Sequence, residues 1–181
     1  MDFLRRVLRS SPAAHDSSQP SGPIEQGAGA HLREGVIYVE TMSRTDTGLW
    51  IGGGGVSPVP ADAQPEVLGD ALLGALDRSR WGVPHPSRDE LEQGVRPLLR
   101  AAGVRSYGQM TRGCRYMSVY RIGIRVTITP YRNLGPRGGF EPIDSESELL
   151  SSNDPATVGR AAGAAFARSP PFETRHGAGE T

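Results

Sequence analysis

Chemistry at neutral pH needs a nucleophile, a base or a metal cluster, and this chain offers few candidates for any of them. Histidine, the usual base near pH 7, occurs four times, as His15, His31, His85 and His176. His15 and His176 fall in segments poor in apolar residues, His85 sits between Pro84 and Pro86, and His31 stands where the folded part is expected to begin. None has an orienting partner in view, so all four read as loop histidines. Cys114 is the single cysteine. Neighbouring arginines could lower its pKa, but a reactive thiolate also needs an activating base, and the plain reading is a half-buried thiol at the start of a strand. The run Gly52 to Gly55 follows a strand, yet it leads directly into no helix and carries no Lys or Ser/Thr in phosphate-loop order. It reads as a flexible loop or bulge. No metal-ligand spacing appears. The residues therefore predict no catalytic set, no cofactor and no metal: not an enzyme.

Charge is distributed more tellingly. From Gln93 to Phe140 there is no acid but nine arginines: Arg96, Arg100, Arg105, Arg112, Arg115, Arg121, Arg125, Arg132 and Arg137. Tyr107, Tyr116, Tyr120 and Tyr131 interleave with them, as in strips that grip phosphates and stack bases. The competing reading is bland. Outward strand positions need something polar, and all 20 basic residues of this chain are arginine. The next segment, Gly138 to Gly159, reverses the sign: Glu141, Asp144, Glu146, Glu148 and Asp154, with no base. The segment reads as a loop or short edge strand, either a docking element for a basic partner or an intramolecular match for the arginines, and its length as a loop favours a functional role.

The elements that would position these residues follow from periodicity. Gly35 to Met42 and Gly48 to Gly55, joined by "TDTG", predict a hairpin. Pro65 opens a helix whose apolar face is Val67, Leu68, Ala71, Leu72, Ala75 and Leu76. A middle helix begins near Ser87, with Ser87 and Glu90 at capping-box spacing; Gly94 and Pro97 should kink it or split it. Cys114 to Arg132 predicts a second hairpin turning at Arg121 to Gly123, with Met117 and Val119, then Ile124, Val126 and Ile128, facing inward. Asp154 and Pro155 predict the cap and first position of a last helix, with Val158, Ala161, Ala162, Ala165 and Phe166 on its buried face. The two long helices match at an offset of 90: Pro65, Gly69, Ala71, Ala75, Arg78 and Ser79 stand where Pro155, Gly159, Ala161, Ala165, Arg168 and Ser169 recur. The expected fold class is α+β: a central antiparallel sheet from two hairpins, each followed by a similar helix as pseudo-repeated ββα units, with a middle helix between.

Length and composition set the frame. The chain has 181 residues, 36% hydrophobic and 6% aromatic, which suits one modest aliphatic core. The segment "SSPAAHDSSQPSGPIEQGAGA" has little to bury, so residues 1–30 are expected to be a disordered extension, 31–169 one domain, and 170–181 a disordered tail. A formal charge of zero argues for neither a nucleic-acid nor a membrane partner. No stretch approaches the roughly 20 apolar residues of a membrane span. The start carries no apolar run of signal-peptide length, and the lone cysteine suits a reducing compartment, so the expected location is cytoplasmic.

The succession "PADAQPEVLGDALLGALDRSR", a middle helix, "MSVYRIGIRVTITP" and "DPATVGRAAGAAFARS" resembles the immunity proteins of contact-dependent growth inhibition (CDI), of the CdiI type. The resemblance covers about Gly35 to Ser169 and marks helix packing more than a chemical site. The second helix departs from it by being Ala-rich and lacking an Arg after Ser169, and the first 30 residues look foreign to it. The resemblance implies a cytosolic protein that binds a cognate toxin C-terminal domain, often a nuclease, and blocks its active site or nucleic-acid surface without turnover. No contact residue carries over by position. Nuclease surfaces are basic because they grip phosphate, so the toxin-binding candidates are Glu141, Asp144, Glu146 and Glu148. The alternative function is a small nucleic-acid-binding protein using the arginine and tyrosine strip of residues 93–137.

Overall fold

Alternation of side chains along the strands builds a sheet whose two faces are both covered. A computed structural model describes residues 24–172. Strands β1 (Glu25–Arg33), β2 (Val36–Thr45), β3 (Trp50–Pro60), β4 (Trp81–Val83), β5 (Arg115–Ile122), β6 (Arg125–Asn133), β7 (Phe140–Pro142) and β8 (Glu148–Leu150) form one sheet. Its spine runs β3-β2-β1-β5-β6-β7; β8 pairs with β6, and β4 pairs with the end of β2. Every pairing is antiparallel except β2 with β4.

The sheet is wider than two hairpins, because β1 lies at its centre. Its sequence, Glu25 to Arg33, has only Leu32 as a large apolar residue, so its first six residues fell inside the segment expected to be disordered. The glycines have a packing reason. A Cβ on Gly27 would stand 2.5 Å from the Trp50 ring, and one on Gly29 would stand 2.9 Å from the Tyr116 hydroxyl. The strand is thin so that aromatic rings from its neighbours can close over it. The folded part thus begins before residue 31; residues 1–23 lie outside the described residues.

Helices α1 (Pro65–Asp77) and α6 (Pro155–Arg168) lie side by side on one face. Leu68, Leu72, Ala75 and Leu76 meet Val158, Ala161, Ala162, Ala165 and Phe166 there, over Ala28, Ala30, Ile37, Val39, Met117, Val119, Val126 and Ile128. Two stripe residues were misplaced: Val67 is 48% exposed, and Ile124 sits in the β5–β6 turn, 65% exposed. The helix contact is reciprocal. A Cβ on Gly69 would collide with the backbone of Pro155, and one on Gly159 with the backbone of Pro65. Each helix ends in a serine that ties it to the sheet. Ser79 Oγ accepts from Gly27 N and donates to Met42 O, linking β1 and β2. Ser169 Oγ accepts from Tyr116 N and lies 2.7 Å from Tyr131 O, linking β5 and β6.

The other face is covered by short helices: α2 (Arg88–Gly94), α3 (Arg96–Ala101) and α4 (Tyr107–Thr111); α5 (Gly135–Gly138) follows β6. The middle helix is split at Val95, as Gly94 and Pro97 led one to expect, and the Ser87–Glu90 capping box is formed. Asp154 caps α6 by accepting from Thr157 N. Gly52 to Gly55 is part of β3 rather than a loop, though the β2–β3 register slips between Glu40 and Met42, and Gly53 and Gly55 take φ of +133° and +106°.

Candidate functional site

The alternation that sends Ile37, Val39 and Thr41 toward the long helices sends Tyr38, Glu40 and Met42 to the opposite face. From β1, His31 arrives beside them, cross-strand from Tyr38 on one side and Tyr116 on the other. The outcome is a buried polar cluster. His31 is 4% exposed and Glu40 7%, with His31 Nε2 3.9 Å from Glu40 Oε2. Cys114 Sγ lies 3.8 Å from His31 Nδ1 and donates to Arg115 O. Aromatic rings wall it in: Tyr116 stands 4.6 Å from the imidazole and 4.9 Å from both Tyr131 and Phe140, centroid to centroid.

His31 is therefore no loop histidine. It was unreadable because Cys114 lies 83 residues away, and because β1, which sets His31 beside Glu40, was not foreseen. Burial pushes its pKa down to about 3 and pushes that of the Glu40 carboxyl up to about 7. The Cys114 thiol goes up to about 12, desolvation outweighing the pull of Arg33. A thiol held that high stays protonated, so the imidazole beside it does not make it a nucleophile. Among the described residues no three or more His, Cys, Asp or Glu are grouped to hold a metal ion.

Above the cluster is a cavity of about 120 Å³. Its buried end is His31, Glu40, Tyr116 and Phe140; Trp50 to Gly52 of β3, Leu91 and Gly94 of α2 and the following Val95 border it, with Leu98 and Tyr107. Glu40 lies flat against β3 because residue 52 is glycine: a Cβ there would fall 2.7 Å from Glu40 Cδ and collide with its Oε1.

The acidic candidates occupy the far edge of the sheet. Glu141 is on β7, Asp144 and Glu146 on a 3₁₀ turn (Asp144–Glu146), and Glu148 on β8. The intramolecular match is partly realised. Arg168 lies 3.6 Å from Glu146 and 3.4 Å from Glu148, and Arg132 lies 3.8 Å from Glu141. The segment is a folded edge of two short strands and a turn, the edge-strand form of the two readings its sequence allowed.

The arginine and tyrosine strip does not survive as one surface. Tyr116 and Tyr131 are buried, and Tyr120 packs 5.0 Å from the Trp50 ring, so these rings are not presented to bases. Arg115 donates to Phe166 O, and Arg121 pairs with Asp77. Alternation along strands, which looked like interleaving, sends Tyr116 and Tyr131 into an apolar cluster with Tyr38, Leu98, Met110 and Phe140.

A family model described as CdiI, CDI immunity protein, matches residues 26–169. The chain belongs to the CDI immunity protein family. Among solved structures, it resembles a Neisseria meningitidis protein of unknown function, with a TM-score of 0.70 and 20% identity over 84% of this chain and 100% of that one. It also resembles a chain of a CdiA-CT/CdiI toxin and immunity complex from Yersinia pseudotuberculosis, with a TM-score of 0.67 and 17% identity over 81% of this chain and 98% of that one. None of the curated proteins matches. The family match starts at residue 26, at the head of β1, which agrees with that strand's place at the centre of the CdiI fold. Among the described residues no helix is long and apolar enough to cross a membrane.

Proposed function

We propose that this CDI immunity protein binds the C-terminal domain of a cognate toxin, a nuclease, in the cytoplasm and neutralises it by covering its active site, with no turnover of its own. The observation that carries the reading is the CDI immunity match across nearly all of the described residues. Two features support it. The buried His31, Glu40 and Cys114 are shielded groups with shifted pKa values that favour their neutral forms, unlike an exposed catalytic set. The edge carrying Glu141, Asp144, Glu146 and Glu148 is held rigidly by β6 and by Arg168, which suits presentation of carboxylates to a basic nuclease face.

The test is co-expression with CDI toxin C-terminal domains, to find the cognate one. Protection of growth, and loss of nucleic-acid cleavage by the purified toxin at a 1:1 ratio, are the expected outcomes. Replacing all four acids with Ser should lower the association rate and flatten its salt dependence, because rim charges act mainly on encounter. Equal rates at every salt concentration would remove this edge from the interface. We also read the two halves as pseudo-repeated ββα units; the reciprocal Gly69–Pro155 and Gly159–Pro65 contacts and the paired serines support that reading.

A further inference from the structure

We infer that the cavity over Glu40 receives one basic side chain, Lys or Arg, of the toxin domain, whose methylenes lie against Trp50, Leu91 and Leu98 and whose charged head meets the Glu40 carboxylate. The inference rests on the immunity reading and names the chemistry of the partner at one place.

Size argues first. Sites for small metabolites run to roughly 300–1,000 Å³, whereas an engineered cavity of about 150 Å³ holds a single benzene. At about 120 Å³, this one fits a single side chain. Charge argues next. In a chain whose charged bases are all arginine, no arginine lines the cavity, while two carboxylates do: Glu40 at the buried end and, on α2, Glu90, which accepts from Ser87 N and Oγ. The remaining titratable groups facing Glu40 are His31, Tyr107, Tyr116 and Cys114, and burial keeps each of them uncharged near neutral pH. The carboxyl thus sits among neutral groups, with no cation in the cavity lining. The walls argue last. Met42, Trp50, Leu91, Val95 and Leu98 suit an aliphatic stem that carries its charge at the tip. Gly52 is what lets the carboxylate lie in the cavity instead of being pushed aside. A buried cation in such a socket, ringed by apolar contacts that exclude water, has the makings of an interface hot spot.

The experiment measures binding of the cognate toxin C-terminal domain by wild type, Glu40→Gln and Leu91→Trp. The first variant removes the charge and keeps the shape; the second fills the mouth and keeps the charge. Both should weaken binding by about thirtyfold or more, chiefly through faster dissociation, with circular dichroism melts showing that both remain folded. If Leu91→Trp weakens binding and Glu40→Gln does not, the occupant is apolar and the inference is overturned. If both bind as wild type does, the cavity is outside the interface: the inference fails and the immunity reading stands. If wild type binds no toxin, both fail. A second arm needs no toxin. Butylguanidinium should shift the Glu40 side-chain carbon resonance of the labelled full chain saturably, and 1-pentanol should not. Equal responses to the two compounds, or none to either, would also overturn the inference.

Discussion

Replacing Gly69 with alanine tests how closely α1 and α6 are locked. The new Cβ would stand 2.5 Å from the Pro155 carbonyl carbon, where ordinary contact begins at 3.4 Å, so the helices must part by about 1 Å. Such overpacking costs about 1–3 kcal/mol. Removing a glycine from a helix interior returns up to about 1 kcal/mol. The expected net loss is about 1–2 kcal/mol, which at about 2–4 °C per kcal/mol lowers the melting temperature by about 2–8 °C. The control is on the same helix. A Cβ at Gly74 meets only Arg78 Nη1, at 3.5 Å, so Gly74→Ala should raise the melting temperature. Gly159→Ala should behave as Gly69→Ala does, since its Cβ would stand 2.5 Å from the Pro65 carbonyl carbon. The double variant should lose less than the sum, because one separation relieves both clashes. The assay is thermal unfolding followed by circular dichroism. A Gly69→Ala protein that melts at or above wild type would refute the close-contact account.

Two further outcomes follow from buried polar groups. Ser169→Ala leaves the Tyr116 N–H without its partner in a fully buried site and should cost about 1–3 kcal/mol in urea unfolding, more than Ser79→Ala, whose site is half-exposed; equal costs would place little weight on burial. Glu40 is buried with its pKa raised from 4.5 to about 7, so the native state holds its proton more tightly and wild type loses stability as pH rises through that window. Glu40→Gln lifts that loss. It should match wild type below pH 4.5, then gain on it to a plateau on the order of 2–3 kcal/mol above pH 7. His31, with its pKa lowered from 6.5 to about 3, slopes the other way and should give the variant a steady rise up to pH 6.5. Parallel urea midpoints for the two proteins from pH 4 to 8 would contradict the assignment.

The two long helices were legible because amphipathic periodicity and capping are local: Asp154 bonds Thr157 three residues on, and Pro65 and Pro155 open their helices. The split middle helix was legible for the same reason. β1 was not, because its glycines and alanines make sense only against Trp50 and Tyr116, residues far along the chain. The Glu40–His31–Cys114 cluster was hidden likewise, as its members lie on three different strands or strand ends and periodicity carries no information about which strands become neighbours. Charge runs misled in one direction. The arginine and tyrosine run looked like one surface in one dimension, and strand alternation divided it between solvent and core.

The central place of β1 bears on how the chain is made. Its partner β5 begins about 90 residues later, so the β1–β5 ladder closes a long loop and is slow to form compared with the adjoining hairpin. While synthesis proceeds, β1 to α1 can assemble as soon as residue 77 is free, but the far side of β1 then shows a row of unpaired N–H and C=O groups, and α1 lacks the partner that buries Leu72 and Leu76 against α6. Such an edge accepts any matching strand, including β5 of a second nascent chain. The fold thus favours exchange of halves between copies translated close together, and the interval between residues 77 and 122 is when that exchange can begin.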